Sequence, residues 1–229
     1  LRHNRGGRNP RSGRGHLLSS HLPALQIALP LAAAPLCVLL PRRLVFPFVL
    51  AVGWGSLGLA AMLLSRVIES GAFSYALGGW SAPWGIEYRL DLLNAFVMLL
   101  VALIGAVVLA YAPASVAREI AAENQPHFYA AFLLCLTGLL GISITGDAFN
   151  VFVFLEISSL STYGLISLGR DRRALTAAYN YLILGTIGAT FILIGIGLLY
   201  MMSGTLNMAD LAARLPAVAH TRTIKVAFA

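Results

Sequence analysis

The stretch LLNAFVMLLVALIGAVVLAYA at residues 92–112 decides the fold class, because it is uncharged and long enough to cross a membrane as a helix. An α-helix rises about 1.5 Å per residue, so about twenty residues match the roughly 30 Å hydrocarbon core of a bilayer. Asp, Glu, Lys and Arg make up only 11% of the 229 residues. Soluble domains contain about 25% of these residues. We therefore expect most of this chain to be solvated by lipid.

Apolar blocks of similar length recur on both sides of this stretch. They lie at residues 22–41, 44–64, 128–144, 149–168 and 175–202. Residues 22–202 are therefore predicted to be an all-α transmembrane region, a polytopic helical bundle of about six full spans. The short connection at residues 145–147 predicts that the fourth and fifth spans are antiparallel neighbours.

The hydrophobic period changes at residues 68–91. Ile86, Tyr88 and Leu90 alternate with polar residues, as in a half-buried strand. The turn residues before them are Gly78-Gly79 and Pro83-Trp84-Gly85. We expect a small extramembrane β-hairpin here, with Trp80 and Trp84 at the level of the lipid headgroups.

The N-terminal tail differs from the rest of the chain. Residues 1–21 contain five arginines among Gly, Pro, Asn and Ser, so we interpret them as a basic disordered tail that touches anionic lipid and binds no nucleic acid. A signal peptide is the alternative, but the following apolar run continues to Pro41, well beyond the roughly 7 to 15 residues of a signal peptide. Because Leu1 is not Met, we expect the natural start to lie elsewhere.

The C-terminal residues 203–229 are predicted to contain an interfacial helix, capped by Thr205 or Asn207. A further apolar run begins at Thr223. We interpret it as the start of a seventh span that is truncated at the end of the chain.

Arginines in the short connections predict the orientation. Arg42, Arg43, Arg118 and the cluster at 170–173 follow the first, third and fifth spans and so lie on one side. Arg118 belongs to a polar stretch, 115–125, that is expected to form a short surface helix. The positive-inside rule places this side in the cytoplasm, and we expect a bacterial cytoplasmic (inner) membrane. The tail arginines contradict this orientation.

Glu156 is the clear charged residue inside a predicted span. A carboxyl group in hydrocarbon costs several kcal/mol unless it is protonated, paired or hydrated, so Glu156 is our candidate for proton translocation. Ser159 and Tyr163 follow at i+3 and i+7, share its face and could hydrogen-bond to it or order water. The alternative is a protonated glutamic acid that only links two helices.

Other polar residues have a structural and a functional interpretation. Asp147 is expected to cap the fifth span rather than to bind an ion. Asn180 is a candidate for a polar path, as are Asn150, Thr186 and Thr190, although such residues also simply join membrane helices. The glycines of the sixth span are expected to be helix contact points: Gly185, Gly188, Gly195 and Gly197.

Several kinds of site are not expected. Cys37 and Cys135 lie in apolar blocks without partners at metal-ligand spacing, so we predict no metal site and treat both as apolar fillers. No cofactor-binding or redox motif is recognised. A serine nucleophile at 158–161 lacks a nearby histidine in sequence, which disfavours an intramembrane protease.

Residues 128–211 resemble the antiporter-like subunits shared by multisubunit monovalent cation/proton antiporters and complex I, the proton-pumping NADH:quinone oxidoreductase. The resemblance rests on five motifs: GDAFNVFVFLEISSL at 146–160, GRDRRA at 169–174, YLILG at 181–185, GTLNMADL at 204–211, and GWSAPWGIEYR at 79–89. The last two also look like the D-type subunits of the antiporters.

This resemblance implies inverted five-helix repeats, each with a broken helix, and a central file of charged residues and water that conducts protons. Glu156 matches the family's membrane glutamate, and the family's partner lysine is expected just beyond Ala229. The implied function is a proton-conducting antiporter subunit that works with other membrane subunits, with sodium or potassium as candidate counter-ions. The alternatives are a proton-pumping subunit of a redox complex, whose redox centres lie in other subunits, and a scaffold that has lost transport.

Overall fold

The computed structural model describes residues 21–229, and its architecture is an all-α helical bundle with one small sheet. Six helices are long and apolar enough to span a membrane. They are α1 Leu22–Leu39, α2 Arg42–Ser70, α3 Leu92–Glu119, α4 Gln125–Ile144, α5 Ala148–Ser167 and α6 Arg172–Ser203. Each covers one of the predicted blocks to within two residues, so the six predicted spans are confirmed. The predicted tail at residues 1–21 lies almost entirely outside the described residues.

One predicted element is wrong, because residues 115–119 continue α3 instead of starting a separate surface helix. Pro113 lies inside this helix without ending it. Alanines at 112, 114 and 117 favour a helix, and Val116 is buried in the core of the bundle. Packing of the last turns of α3 therefore extends the helix beyond the hydrophobic block.

The predicted hairpin is present between α2 and α3. Strands β1 (Phe73–Ala76) and β2 (Glu87–Leu90) pair antiparallel, with Tyr75 opposite Tyr88. Tyr88 and Leu90 are buried while Arg89 between them is exposed, which confirms the predicted alternation within the strand. Ile86, the third apolar residue of the pattern, precedes the strand and is exposed. A short 3₁₀ turn, Leu77–Gly79, begins the connection between the strands.

The core consists of two clusters along the bundle axis. One lies beneath the hairpin and includes Leu90, Met98 and Leu140. The other lies at the opposite end and includes Cys37, as expected for an apolar filler, and Leu133. Helices α1, α2 and α3 pack around α4, which is the most buried of the six.

We call the two ends of the bundle the hairpin end and the arginine end. At the arginine end, the Arg170 backbone N–H donates to the Glu119 carbonyl oxygen at 3.1 Å, and Ile120 pairs with Gly169. Arg42 lines a cavity there with residues of the α3–α4 connection. The predicted grouping of the three arginine-bearing connections is therefore confirmed, whereas its assignment to the cytoplasm stays a prediction.

At the hairpin end, main-chain hydrogen bonds join three distant segments. The Gly146 N–H donates to the Glu87 carbonyl oxygen at 2.9 Å, and the Gly146 carbonyl oxygen accepts from the Met208 N–H at 2.9 Å. The Ala148 N–H donates to the Leu206 carbonyl oxygen at 2.8 Å. We call this set of contacts the outer junction.

Two short helices follow α6. Helix α7 (Met208–Val218) forms where a short helix is predicted, and Asn207 caps it by accepting from the Ala209 and Asp210 N–H groups at 3.1 Å each. Its position at the membrane interface stays a prediction. Helix α8 (Arg222–Ala227) contains the start of the last apolar run and packs on α6. That α8 begins a seventh span stays a prediction.

Candidate functional site

Helix α5 carries the intramembrane glutamate. Asp147 caps it, because the carboxylate Oδ1 accepts a hydrogen bond from the Asn150 N–H at 2.8 Å, which confirms the predicted capping role. Glu156 is the one charged residue between Ala148 and Ser167. At about 1.5 Å per residue it lies about 12 Å into a helix about 30 Å long. The carboxyl group is therefore well inside the span.

Helices α4 and α5 pack backbone to backbone at two glycines. A Cβ added at Gly138 would lie 2.6 Å from both the Phe154 carbonyl oxygen and the Ser158 backbone nitrogen. A Cβ at Gly141 would overlap the Phe154 ring. Small residues in membrane helices permit this close approach. Sequence analysis missed both glycines, although their i, i+3 spacing was a usable signal.

Four hydroxyl groups of α5 donate hydrogen bonds within the helix, among them that of Ser167, which donates to the Gly164 carbonyl oxygen at 2.8 Å. Ser158, Ser161 and Thr162 donate to carbonyl oxygens three or four residues earlier, at 2.9, 2.6 and 2.8 Å. The Thr162 Oγ1 also lies 3.5 Å from the Cys135 Sγ of α4. The hydroxyl protons of Ser158 and Ser161 are therefore engaged within the helix.

Glu156 lies on the side of α5 opposite to Phe154 and Ser158, the residues that contact α4. At about 100° per residue, it is about 160° around the helix from Phe154 and Ser158, and only about 20° from Tyr163. Tyr163 is buried, and its ring meets the Tyr181 ring of α6 edge to face at 5.1 Å. A Cβ at Gly185 of α6 would overlap the Tyr163 hydroxyl. The face of α5 that contains Glu156 therefore packs against α6 through Tyr163.

The Glu156 side chain is half-buried. Among residues 21–229, no side chain forms a hydrogen bond or an ion pair with its carboxylate. Ser159 is also half-buried and lies on the same face, one turn further along. Glu156, Ser159 and Tyr163 thus line one face of α5, as predicted.

Asn180 does not join this group in the described part of the chain. It is exposed on α6, whereas Ala178 and Ala189 of the same helix are buried. Gly185 is seven residues from Ala178 and four from Ala189, which places these three on the face toward α5. Asn180 is about 200° around the helix from Ala178 and points away.

The sixth-span glycines divide into two pairs. Gly185 contacts Tyr163, and a Cβ at Gly195 would lie 2.9 Å from the Ala227 carbonyl oxygen of α8. These two predicted contact points are confirmed. At Gly188 and Gly197, a Cβ would meet no atom of residues 21–229 within 4 Å. For this pair the role stays a prediction, because both lie on faces of α6 that α5 and α8 leave uncovered.

A second group of polar residues lies at the outer junction, in line with the start of α5. Asp147 and Asn207 pair as an isolated β-bridge, and both are more than nine-tenths buried. Burial raises the pKa of the Asp147 carboxyl, although backbone hydrogen bonds from Asn150 and Phe149 act in the opposite direction. Asp147 lines a cavity of about 280 Å³ together with Thr205. Sequence reasoning did not predict this grouping, because it depends on contacts between segments far apart in the chain.

The His, Cys, Asp and Glu side chains of residues 21–229 are the groups that could bind a metal ion. Among residues 21–229, no group of three or more His, Cys, Asp or Glu side chains is arranged to hold a metal ion.

Comparison with known proteins shows that the chain is similar to membrane subunits of NADH-quinone oxidoreductases and of cation/proton antiporters. Residues 145–228 match the family described as NADH:quinone oxidoreductase/Mrp antiporter, transmembrane. The chain is 45% identical to the N-type subunit of the NADH-quinone oxidoreductase of Desulforudis audaxviator, over 87% of this chain and 40% of the relative. It is 31% identical to the D-type subunit of the Na(+)/H(+) antiporter of Bacillus subtilis, over 88% of this chain and 41% of the relative. The chain thus spans about two fifths of the length of these relatives.

Solved structures have the same fold. The archaeal membrane-bound sulfane sulfur reductase, a respiratory membrane complex, contains a chain that matches with a TM-score of 0.83 and 31% identity, over 90% of this chain and 42% of that one. The Mrp complex of Dietzia sp. DQ12-45-1b contains one with a TM-score of 0.78 and 26% identity, over 92% and 39%. These comparisons confirm the resemblance predicted from the sequence.

Proposed function

We propose that this chain, which is similar to antiporter-like membrane subunits over most of its length, belongs to a proton-conducting subunit of a multisubunit monovalent cation/proton antiporter. The observation that carries the proposal is the Glu156 carboxylate, which lies inside α5 with no partner among residues 21–229. Such a group must take up a proton, a cationic partner or water to be stable in the membrane. Exchange between these states moves protons.

The face shared by Glu156, Ser159 and Tyr163 provides the start of a path. Ser159 and Tyr163 have hydroxyl groups that can hydrogen-bond to water, and Tyr163 holds this face against α6. Asn180 contributes only if the path also passes along the outer face of α6, against helices from the rest of the protein or from another subunit.

The orientation and partners of the subunit are part of the proposal. The arginine end lies in the cytoplasm by the positive-inside rule, and the membrane is the cytoplasmic membrane of a bacterium. Other membrane subunits surround the chain, as in the multisubunit complexes that contain the similar solved structures. Sodium or potassium is the exchanged cation.

A proton-pumping subunit of a redox complex is the second candidate. It is favoured by the 45% identity to an NADH-quinone oxidoreductase subunit. In that case electron transfer takes place in other subunits, and Glu156 responds to their redox state instead of to a cation gradient.

Proton flux in proteoliposomes that contain the complete complex distinguishes the two functions. An antiporter responds to a pulse of sodium or potassium by moving protons in the opposite direction, without a reductant. A redox-driven pump moves protons only when an electron donor and a quinone are supplied. Proton movement that requires reductant and ignores both cations would exclude the antiporter.

A further inference from the structure

A cavity of about 560 Å³ opens at the arginine end, between the ends of α3 and α5 and the starts of α4 and α6. Its volume is within the range of roughly 300 to 1,000 Å³ that small-molecule sites occupy. Arg118 of α3 and Arg170 of the α5–α6 connection line it. The proton path proposed above does not use this cavity.

Arg170 is fixed at the rim of the cavity by two hydrogen bonds. Its backbone N–H donates to the Glu119 carbonyl oxygen at 3.1 Å, and its Nη2 donates to the Ile120 carbonyl oxygen at 3.2 Å. A guanidinium group has five N–H donors, so most remain available. Neither Arg118 nor Arg170 lies within 4.0 Å of a carboxylate in the described part of the chain. Both charges are therefore available to an anion.

Two acidic residues also line the cavity and oppose an anion. Asp171 is engaged as the cap of α6, because its Oδ1 accepts from the Arg173 N–H at 2.9 Å, while Glu119 is exposed. Arg172 and Arg173 follow directly, so residues 118, 119 and 170–173 together have a positive net charge. The positive N-terminal end of the α6 dipole adds to this field.

The remaining wall is apolar, and the cavity lies at the membrane boundary. Val116, Phe128, Leu165 and Ile166 form most of the apolar lining. Helix α5 has 20 residues and is about 30 Å long, which matches the hydrocarbon core, so the residues after Ser167 lie at headgroup level. The site thus offers arginines to a phosphate and an apolar surface to an acyl chain.

We propose that this cavity binds an anionic phospholipid, whose phosphate contacts Arg118 and Arg170 and whose first acyl carbons pack on Leu165 and Ile166. Basic pockets between membrane helices at the cytoplasmic side suit anionic headgroups, and arginine binds phosphate with paired hydrogen bonds. A soluble anion would use the arginines but would leave the apolar wall exposed, so the lipid is the better match.

Native mass spectrometry of the full-length protein in its complex tests the proposal. Delipidated protein is titrated with phosphatidylglycerol and, separately, with phosphatidylcholine of the same acyl chains. Each of Arg118→Gln and Arg170→Gln should weaken phosphatidylglycerol binding about fivefold, since one arginine near the surface contributes about 1 kcal/mol. Phosphatidylcholine should bind the wild type more weakly than phosphatidylglycerol does, and the two substitutions should change its binding less.

Matched variants separate the charge from the cavity. Arg43→Gln removes an exposed arginine that is at the same end but does not line the cavity. This variant should bind phosphatidylglycerol as tightly as the wild type does. Ser115→Trp places a bulky side chain at the cavity wall without changing charge and should reduce lipid binding. Because Ser115 is exposed, this variant should fold.

Three results would overturn the proposal: unchanged phosphatidylglycerol binding in the Arg118→Gln, Arg170→Gln double variant; displacement of bound lipid by millimolar inorganic phosphate, which would indicate a free-anion site; or an experimental structure of the complete complex in which protein side chains fill the cavity.

Discussion

The Tyr163 hydroxyl of α5 lies against Gly185 of α6, at a point where a side chain of any size on residue 185 would overlap it. This contact fastens the face that contains Glu156 to the next helix.

Gly185→Ala should therefore destabilise the protein, by about 1 to 3 kcal/mol, because overpacking forces the two helices apart. Thermal unfolding of the full-length protein in detergent measures the change. Gly188→Ala is the matched control, since a Cβ there meets no described atom within 4 Å, and it should be neutral or slightly stabilising. Adding Tyr163→Phe removes the hydroxyl and should restore part of the loss. Equal effects at positions 185 and 188 would contradict the contact.

Glu156→Gln should assemble normally and lose proton flux by at least about a hundredfold, because Gln retains volume and hydrogen bonding but cannot titrate. Glu156→Asp should retain part of the flux. Flux and subunit assembly are measured together in the complete complex, with Glu123→Gln, an exposed carboxylate change, as the control. A purely structural glutamic acid would predict normal flux in Glu156→Gln.

Asp147 should make the stability of the protein depend on pH in a defined direction. Burial raises the pKa of its carboxyl above the ordinary 3.8, so the folded protein binds this proton more tightly than the unfolded chain does. The contribution of this group to stability therefore falls as pH rises from about 3.8 through the raised value. Asp147→Asn keeps a capping side chain and should remove this dependence, whereas Asp147→Ala should lose about 1 kcal/mol of capping energy.

The free energy of unfolding of the wild type and of both variants is measured by chemical denaturation between about pH 3.5 and 7, a range that begins near the ordinary pKa of Asp. This measurement checks whether Asp147 causes the pH dependence. If the difference in stability between wild type and Asp147→Asn stays constant across this range, Asp147 does not titrate abnormally.

The α4–α5 contact can be tested by cross-linking. The Cys135 Sγ lies 3.5 Å from the Thr162 Oγ1, so Thr162→Cys should form a disulfide with Cys135 under mild oxidation. Mass spectrometry of the digested protein, with and without a reductant, detects the cross-linked peptides. Leu160→Cys, on an exposed face of the same helix, should not cross-link.

The orientation predicts which cysteines an impermeant maleimide reaches in intact cells. In a background with Cys37 and Cys135 replaced by Ala, Ser81→Cys in the hairpin should be labelled from outside. Arg173→Cys at the arginine end should be labelled only after the cells are opened. The reverse pattern would invert the topology.

Sequence predicted what depends on local composition. The six spans follow from the length and hydropathy of each block, and the caps at Asp147 and Asn207 follow from residue type next to a helix. The polar composition of residues 115–125 was a misleading signal, because Val116 packs in the core and α3 stays helical to Glu119.

Sequence could not predict which neighbour each helical face meets. Asn180 and Gly185 lie on one helix, and only packing against α5 decides that Gly185 faces Tyr163 while Asn180 is exposed. Gly138 and Gly188 are likewise indistinguishable by composition, although one contacts a backbone and the other contacts nothing in residues 21–229.

The outer junction also constrains the order in which the protein can fold. Gly146 bonds to Glu87 and to Met208, which lie about sixty positions before and after it. Contacts between such distant residues form only after the intervening chain has been placed. The hydrogen bond between Glu87 of the hairpin and Gly146 can therefore form only after α3 and α4 have inserted. The start of α7 can bond to Gly146 only after α5 and α6 have crossed the bilayer. The start of α7 thus completes an attachment whose first component was synthesised more than a hundred residues earlier.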